Sequence, residues 1–147
     1  MSKTDLDEEL DRVPAGGGTV RVDREGARAK VEVLEADRLG VRVRGVEVTR
    51  GRPVDVSEEA GALPERLRAL PERLAPVEVD PTLGGARLRT RPDELRGREY
   101  FEVDVEPSRT SIRRTKVGEQ GERVETDWTM TREQLDRLID ETSGDGG

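Results

Sequence analysis

Histidine and cysteine are both absent from this chain of 147 residues, and most of the usual side-chain catalysts go with them. Without imidazole the commonest general base near neutral pH is missing. Ser-His and Cys-His nucleophiles and ordinary Cys/His zinc sites are excluded, and there is no thiol to form a disulfide. The glycine run "AGGGTV" (15–20) lacks the Lys-Ser/Thr partner of a phosphate-binding loop and leads into a strand pattern, not a helix. The chemistry left is that of carboxylates and guanidinium groups.

Two constellations have spacing that chemistry could use. In "REYFEVDVEP", Glu102, Asp104 and Glu106 alternate with Phe101, Val103 and Val105. On one strand such acids lie about 7 Å apart, a spacing at which oxygens could converge on a hard cation or act as an acid pair. Alternation also explains them as a solvated face whose acids pair with Arg109, Arg113 or Arg114 across a hairpin. The second constellation, Arg87, Arg89 and Arg91 in "ARLRTRPDEL", is in the same strand phase. Arginines on one face can grip phosphate or carboxylate. Asp93, Glu94 and Glu99 lie close enough in sequence to neutralise them.

A third feature is a repeat. "ALPERLRALPERL" (62–74) holds the same six letters twice, seven apart. Leu63, Leu67, Leu70 and Leu74 fall on one helical stripe, and Pro64 and Pro71 share a face. Proline suits a first turn and breaks the ladder deeper in a helix, so the spacing predicts two short helices, each started by its proline, or one helix kinked at Leu70-Pro71. Such a stripe either covers a sheet or, with Leu63, Leu67 and Leu70, docks a partner. The covering role is the ordinary one, and the run is too short for a coiled coil.

The elements that must position these groups follow from periodicity. Forty per cent of residues are charged, but the net charge is only −7, and long stretches alternate valine with charge, the signature of half-buried strands. Strands are expected at "TVRV", "ARAKVEVLE" and "VRVRGVEV", and then near Val77, at "ARLRT", "EYFEVDV", "SIRRTKV" and "RVETDWTM". Val41 and Val43 are out of phase with Val46 and Val48, which predicts a bulge or bend at Arg44-Gly45. Glu58 and Glu59 after Ser57 suit a helix start. Thr131 and Gln134 form a capping box for a last helix with Leu135, Leu138 and Ile139 inward, and Trp128 is placed to anchor it.

The expected architecture is α+β. A single antiparallel sheet of about seven strands in two meanders is covered on one face by a proline-started central segment (57–74) and a C-terminal helix (131–142). Residues 1–17 read as an acidic tail with an optional short helix over Asp5 to Arg12, residues 18–142 as one domain, and 143–147 as a flexible end. The N-terminus lacks the apolar core of a secretory signal and no run spans a membrane, so the expected compartment is the cytoplasm. Net acidity and the lack of spaced aromatics argue against a nucleic-acid partner. No cofactor or metal is implied. The expected function is a non-catalytic protein-binding or adaptor module, monomeric or weakly dimeric. The alternative is a small-ligand or cation binder, or an enzyme, built on Glu102, Asp104, Glu106, Arg87 and Arg89.

Overall fold

The computed structural model describes residues 3–80, 84–91 and 98–144. Three helices, α1 (Lys3–Asp11), α2 (Val56–Arg66) and α3 (Arg132–Ser143), accompany nine strands. The first meander is β1 (Gly18–Arg24), β2 (Ala27–Ala36) and β3 (Val41–Arg50). The second is β4 (Leu74–Asp80), β5 (Gly85–Thr90), β6 (Glu99–Val105) and β7 (Arg109–Val117). All pairings are antiparallel, in the order β1-β2-β3-β7-β6-β5-β4. The expected last strand divides into β8 (Arg123–Thr126) and β9 (Trp128–Met130). β8 returns along β7, and β9 crosses to the first half of β3, whose second half pairs with β7. The α+β class, the single sheet and the two meanders are as expected.

One face of the sheet is apolar because the strands alternate. Val20, Val22, Val31, Val43, Val48, Leu88, Phe101, Val103, Val105 and Ile112 are all buried. The phase slip in β3 is a bulge at the expected place. Glu32 pairs with Gly45 and Val33 with Val43, so Arg44 has no partner residue on β2 and both Val43 and Val46 still face inward. The turn at 37–40 is fixed by the Asp37 carboxylate, which accepts from the Leu39 and Gly40 N–H groups at 2.8 Å each. These two bonds hold its pKa below the ordinary carboxylate value. Gly17 (φ +90°) lies so close to β2 that a Cβ would sit 2.6 Å from the Val33 carbonyl oxygen.

The helices depart from expectation in three ways. First, the optional short helix over Asp5 to Arg12, within the expected tail, is present as α1 over residues 3–11. Leu6 and Leu10, one turn apart, are buried against the core, which gives this acidic segment a reason to stay folded. Second, α2 is capped by Asp55, not Ser57: its carboxylate accepts from the Glu58 N–H at 3.0 Å. Third, neither proline starts a helix. Pro64 lies inside the last turn of α2, and the second copy of the repeat is not helical at all. Glu141 of α3 captures the exit from α2: its side chain accepts from the Arg68 and Ala69 N–H groups at 2.9 and 2.8 Å, and its carbonyl from Arg66 at 2.6 Å. Pro71 disfavours the helical region for Leu70, and Leu74 opens β4. Identical letters therefore end a helix once and lead into a strand the second time. The four leucines are buried nonetheless, Leu63 at 0%, Leu67 at 3%, Leu70 at 6% and Leu74 at 4% exposure, so the covering role stands without a continuous helix.

α3 is as expected. Thr131 and Gln134 form the reciprocal capping box, Leu135, Leu138 and Ile139 are fully buried, and Gly144 ends the helix in the left-handed region (φ 87°). The end of the expected C-terminal tail, residues 145–147, lies outside the described residues. Trp128 is buried with its ring edge-on to Phe101 at 5.2 Å.

Leu70→Ala should cost on the order of 2–5 kcal/mol by opening a cavity in the core. Pro71→Ala should cost less than about 1 kcal/mol, because it only loosens the unfolded chain. Urea unfolding of both variants checks the pair. Equal stabilities for Leu70→Ala and the parent protein would contradict the burial of this leucine.

Candidate functional site

The residues that alternate with the core valines build the opposite face of the sheet. β-pairing sets them in rows. One row runs Arg21, Lys30, Glu47, Ser111, Asp104 and Arg87 across six adjacent strands, each about 4.8 Å from the next. The next row brings Glu32 opposite Gly45 and Glu102 between Arg89 and Arg113. This face is concave over a volume of about 690 Å³, lined by side chains including Lys30, Arg44, Glu47, Asp104, Ser111 and Arg113.

The two constellations of the sequence lie opposite each other. Glu102, 12% exposed, is held by Arg89 at 2.9 Å, with Arg87 and Arg113 at 3.6 and 3.9 Å. Asp104 bridges Arg87 at 2.7 Å and Arg113 at 2.6 Å. Glu106 pairs with Arg109 at 2.7 Å, and this pair raises the Arg109 pKa. The acids therefore meet the expected arginines Arg109 and Arg113, but Arg114 points to the inner side. There it stacks over Phe101 at 4.5 Å and bonds Glu99 at 2.8 Å. Arg87 and Arg89 find counter-charges on the neighbouring strand β6, and Glu99 bonds Arg114 instead; Asp93 and Glu94 lie outside the described residues. Arg91 is exposed at the end of β5.

The acids have thus already spent their oxygens on guanidinium groups. Among the described residues no group of three acids stands ready for a metal ion. Leu63, Leu67 and Leu70 are sunk in the core and offer no side chain to a partner.

What sequence reasoning missed lies on the other half of the face. Among the described residues Lys30 and Arg44 line the concavity without an ion pair, as does Glu32, although Glu47, Arg87, Asp104, Glu106, Arg109, Arg113 and Glu125 around them are bridged. Arg44 is the bulge residue, and bulges re-aim side chains. The valine phase slip was its signal in the sequence. Two buried arginines were also missed. Arg24 clamps Asp136 and Asp140 of α3 at 2.6 and 2.8 Å. Arg50 is buried and donates to the Thr110 hydroxyl and the Glu106 carbonyl, both at 2.8 Å, and desolvation lowers its pKa.

Comparison with family models, with curated proteins and with solved structures gives no match. Among the described residues no helix is long and apolar enough to cross a membrane.

Glu102→Gln should destabilise the protein by on the order of 1–3 kcal/mol, since a mostly buried acid serving three arginines is lost. Glu106→Gln removes an exposed pair and should cost less than about 1 kcal/mol. Denaturant midpoints compared at low and high salt check the order. A larger loss for Glu106→Gln would contradict it.

Proposed function

We propose that this domain is a non-catalytic binding module for another protein, and that it works through the concave charged face of its sheet. One observation carries this reading: among the described residues Lys30 and Arg44 stand without ionic partners inside a concavity where Glu47, Asp104, Glu106 and Glu125 are bridged to arginines and Glu32 alone of the lining acids is not. On a molecule of net charge −7, these two cations outnumber the one unbridged acid beside them, Glu32, and leave a local excess of one positive charge. A partner that lays carboxylates over them gains charge pairing without having to displace the bridges around Asp104 and Glu102. Concave polar surfaces of this kind gain specificity from complementary charge more than from apolar area. The alternative of a cation site or acid pair at Glu102 and Asp104 gains nothing from this geometry, because a metal would have to expel arginines already bound there. We place the module in the cytoplasm, where a domain without disulfides is at home.

The test compares the full chain with its Lys30→Glu/Arg44→Glu variant as bait in extract from the source cell. Both positions are exposed at the surface, so melting should shift little. A protein retained by the parent should bind the variant at least about tenfold more weakly, which corresponds to about 1.4 kcal/mol. Capture of the same protein by both baits, or by neither, would overturn the proposal. Titration with magnesium or calcium should leave the melting temperature unchanged.

A further inference from the structure

The two edges of the sheet differ. β4 carries Pro76, which has no N–H to offer, and its register with β5 shifts between Pro76 and Glu78. Proline and irregular register are the usual protections of an edge strand. β1 has neither. Its seven residues pair with β2 in unbroken register, from Gly18 opposite Val33 to Arg24 opposite Ala27, and among the described residues its other side pairs with no strand.

The hydrogen-bond phase tells which groups of β1 are open. The Gly51 N–H donates to the Gly26 carbonyl at 3.0 Å, on the β3 side of the hairpin. Successive residues of a strand turn their backbone polar groups to opposite sides. Ala27, Ala29 and Val31 therefore bond toward β1, where they meet Arg24, Val22 and Val20. The N–H and C=O groups left pointing outward belong to Thr19, Arg21 and Asp23, whose side chains are exposed; the Asp23 carbonyl accepts a long bond from the Arg24 guanidinium, at 3.3 Å, which a second strand would replace.

We propose that β1 is the interface of a two-fold dimer of this chain, in which β1 pairs antiparallel with β1 of a second copy. Charge selects the register. If Arg21 faced its own copy, two guanidinium groups would stand side by side. A shift that centres the pair on Val22 sets Arg21 opposite Asp23 of the other chain, twice by symmetry. Both pairs are then backbone hydrogen-bonded pairs, because Arg21 and Asp23 hold the outward groups. Among the described residues Arg21 has no ion pair within its own chain, and Asp23 has only the exposed Arg28, at 2.8 Å. Cross-strand opposite charges favour such a pairing and like charges oppose it. Because the other edge is interrupted at Pro76, assembly closes at two copies.

Sedimentation of the full chain from low to high micromolar concentration tests this. A concentration-dependent monomer–dimer equilibrium is expected, with no larger species. Arg21→Asp and Asp23→Arg should each weaken the dimer at least about tenfold while melting near the parent at low concentration. An equimolar mixture of the two variants should restore a dimer, now between unlike chains, and the double variant R21D/D23R should dimerise with itself. Amide exchange at Thr19, Arg21 and Asp23 should slow as concentration rises. A native chain that stays monomeric throughout would overturn the proposal. So would growth beyond the dimer, a dimer that survives both single variants, or a mixture that fails to restore it.

Discussion

Everything else in this protein depends on one short seam. Val46 to Thr49 of β3 pair with Arg109 to Ile112 of β7, and there the two meanders join directly, with β8 and β9 bridging the same two strands beside the seam. The seam is fastened from inside by Arg50. Its N–H bonds the Ser108 carbonyl at 2.8 Å, its guanidinium reaches Thr110 and the Glu106 carbonyl, and just beyond it the Val54 N–H holds Pro107 at 2.8 Å. A buried cation is costly unless its donors are used; here both terminal nitrogens cap the β6–β7 turn, Nε is left without an acceptor among the described residues, and Glu59 supports the charge from α2. The turn, the strand pairing and the helix thus share one side chain.

The seam decides what each face can do. It continues the apolar side across seven strands, so three helices can share one core, and Arg24 ties the outer strand to α3 through two acids one turn apart. It also continues the polar side, where strand register alone arranges charges from distant parts of the chain. β5, β6 and β7 supply a lattice in which acids and arginines satisfy each other. β2 and β3 supply Lys30 and Arg44, which remain over. A face that is half saturated and half open is what the proposed recognition role rests on.

Local pattern made the strands, the bulge at Arg44-Gly45 and the capping box at Thr131 legible in the sequence, because each of these is decided within a few residues. The repeat misled for the opposite reason. Whether Leu-Pro-Glu-Arg-Leu is helical is settled by Glu141, some seventy positions away, which takes the N–H groups that a second helix would have used. The acids of β6 and arginines of β5 were visible as two separate sets, yet nothing local states that Arg87 faces Asp104. Asp136 is a polar residue on an apolar helix face whose reason, Arg24, lies 112 residues earlier. α1 could be recognised only by giving Leu6 and Leu10 more weight than the acids around them.

The claim that the concave face is the working surface can be tested in place. A photoreactive residue at Ser111, the middle of the charged row, can be cross-linked inside the source cell and compared with one at Leu39, an exposed turn residue 84% accessible and outside that concavity. The account predicts a discrete protein adduct from position 111 and none from position 39. An adduct from position 39 with none from 111 would contradict it.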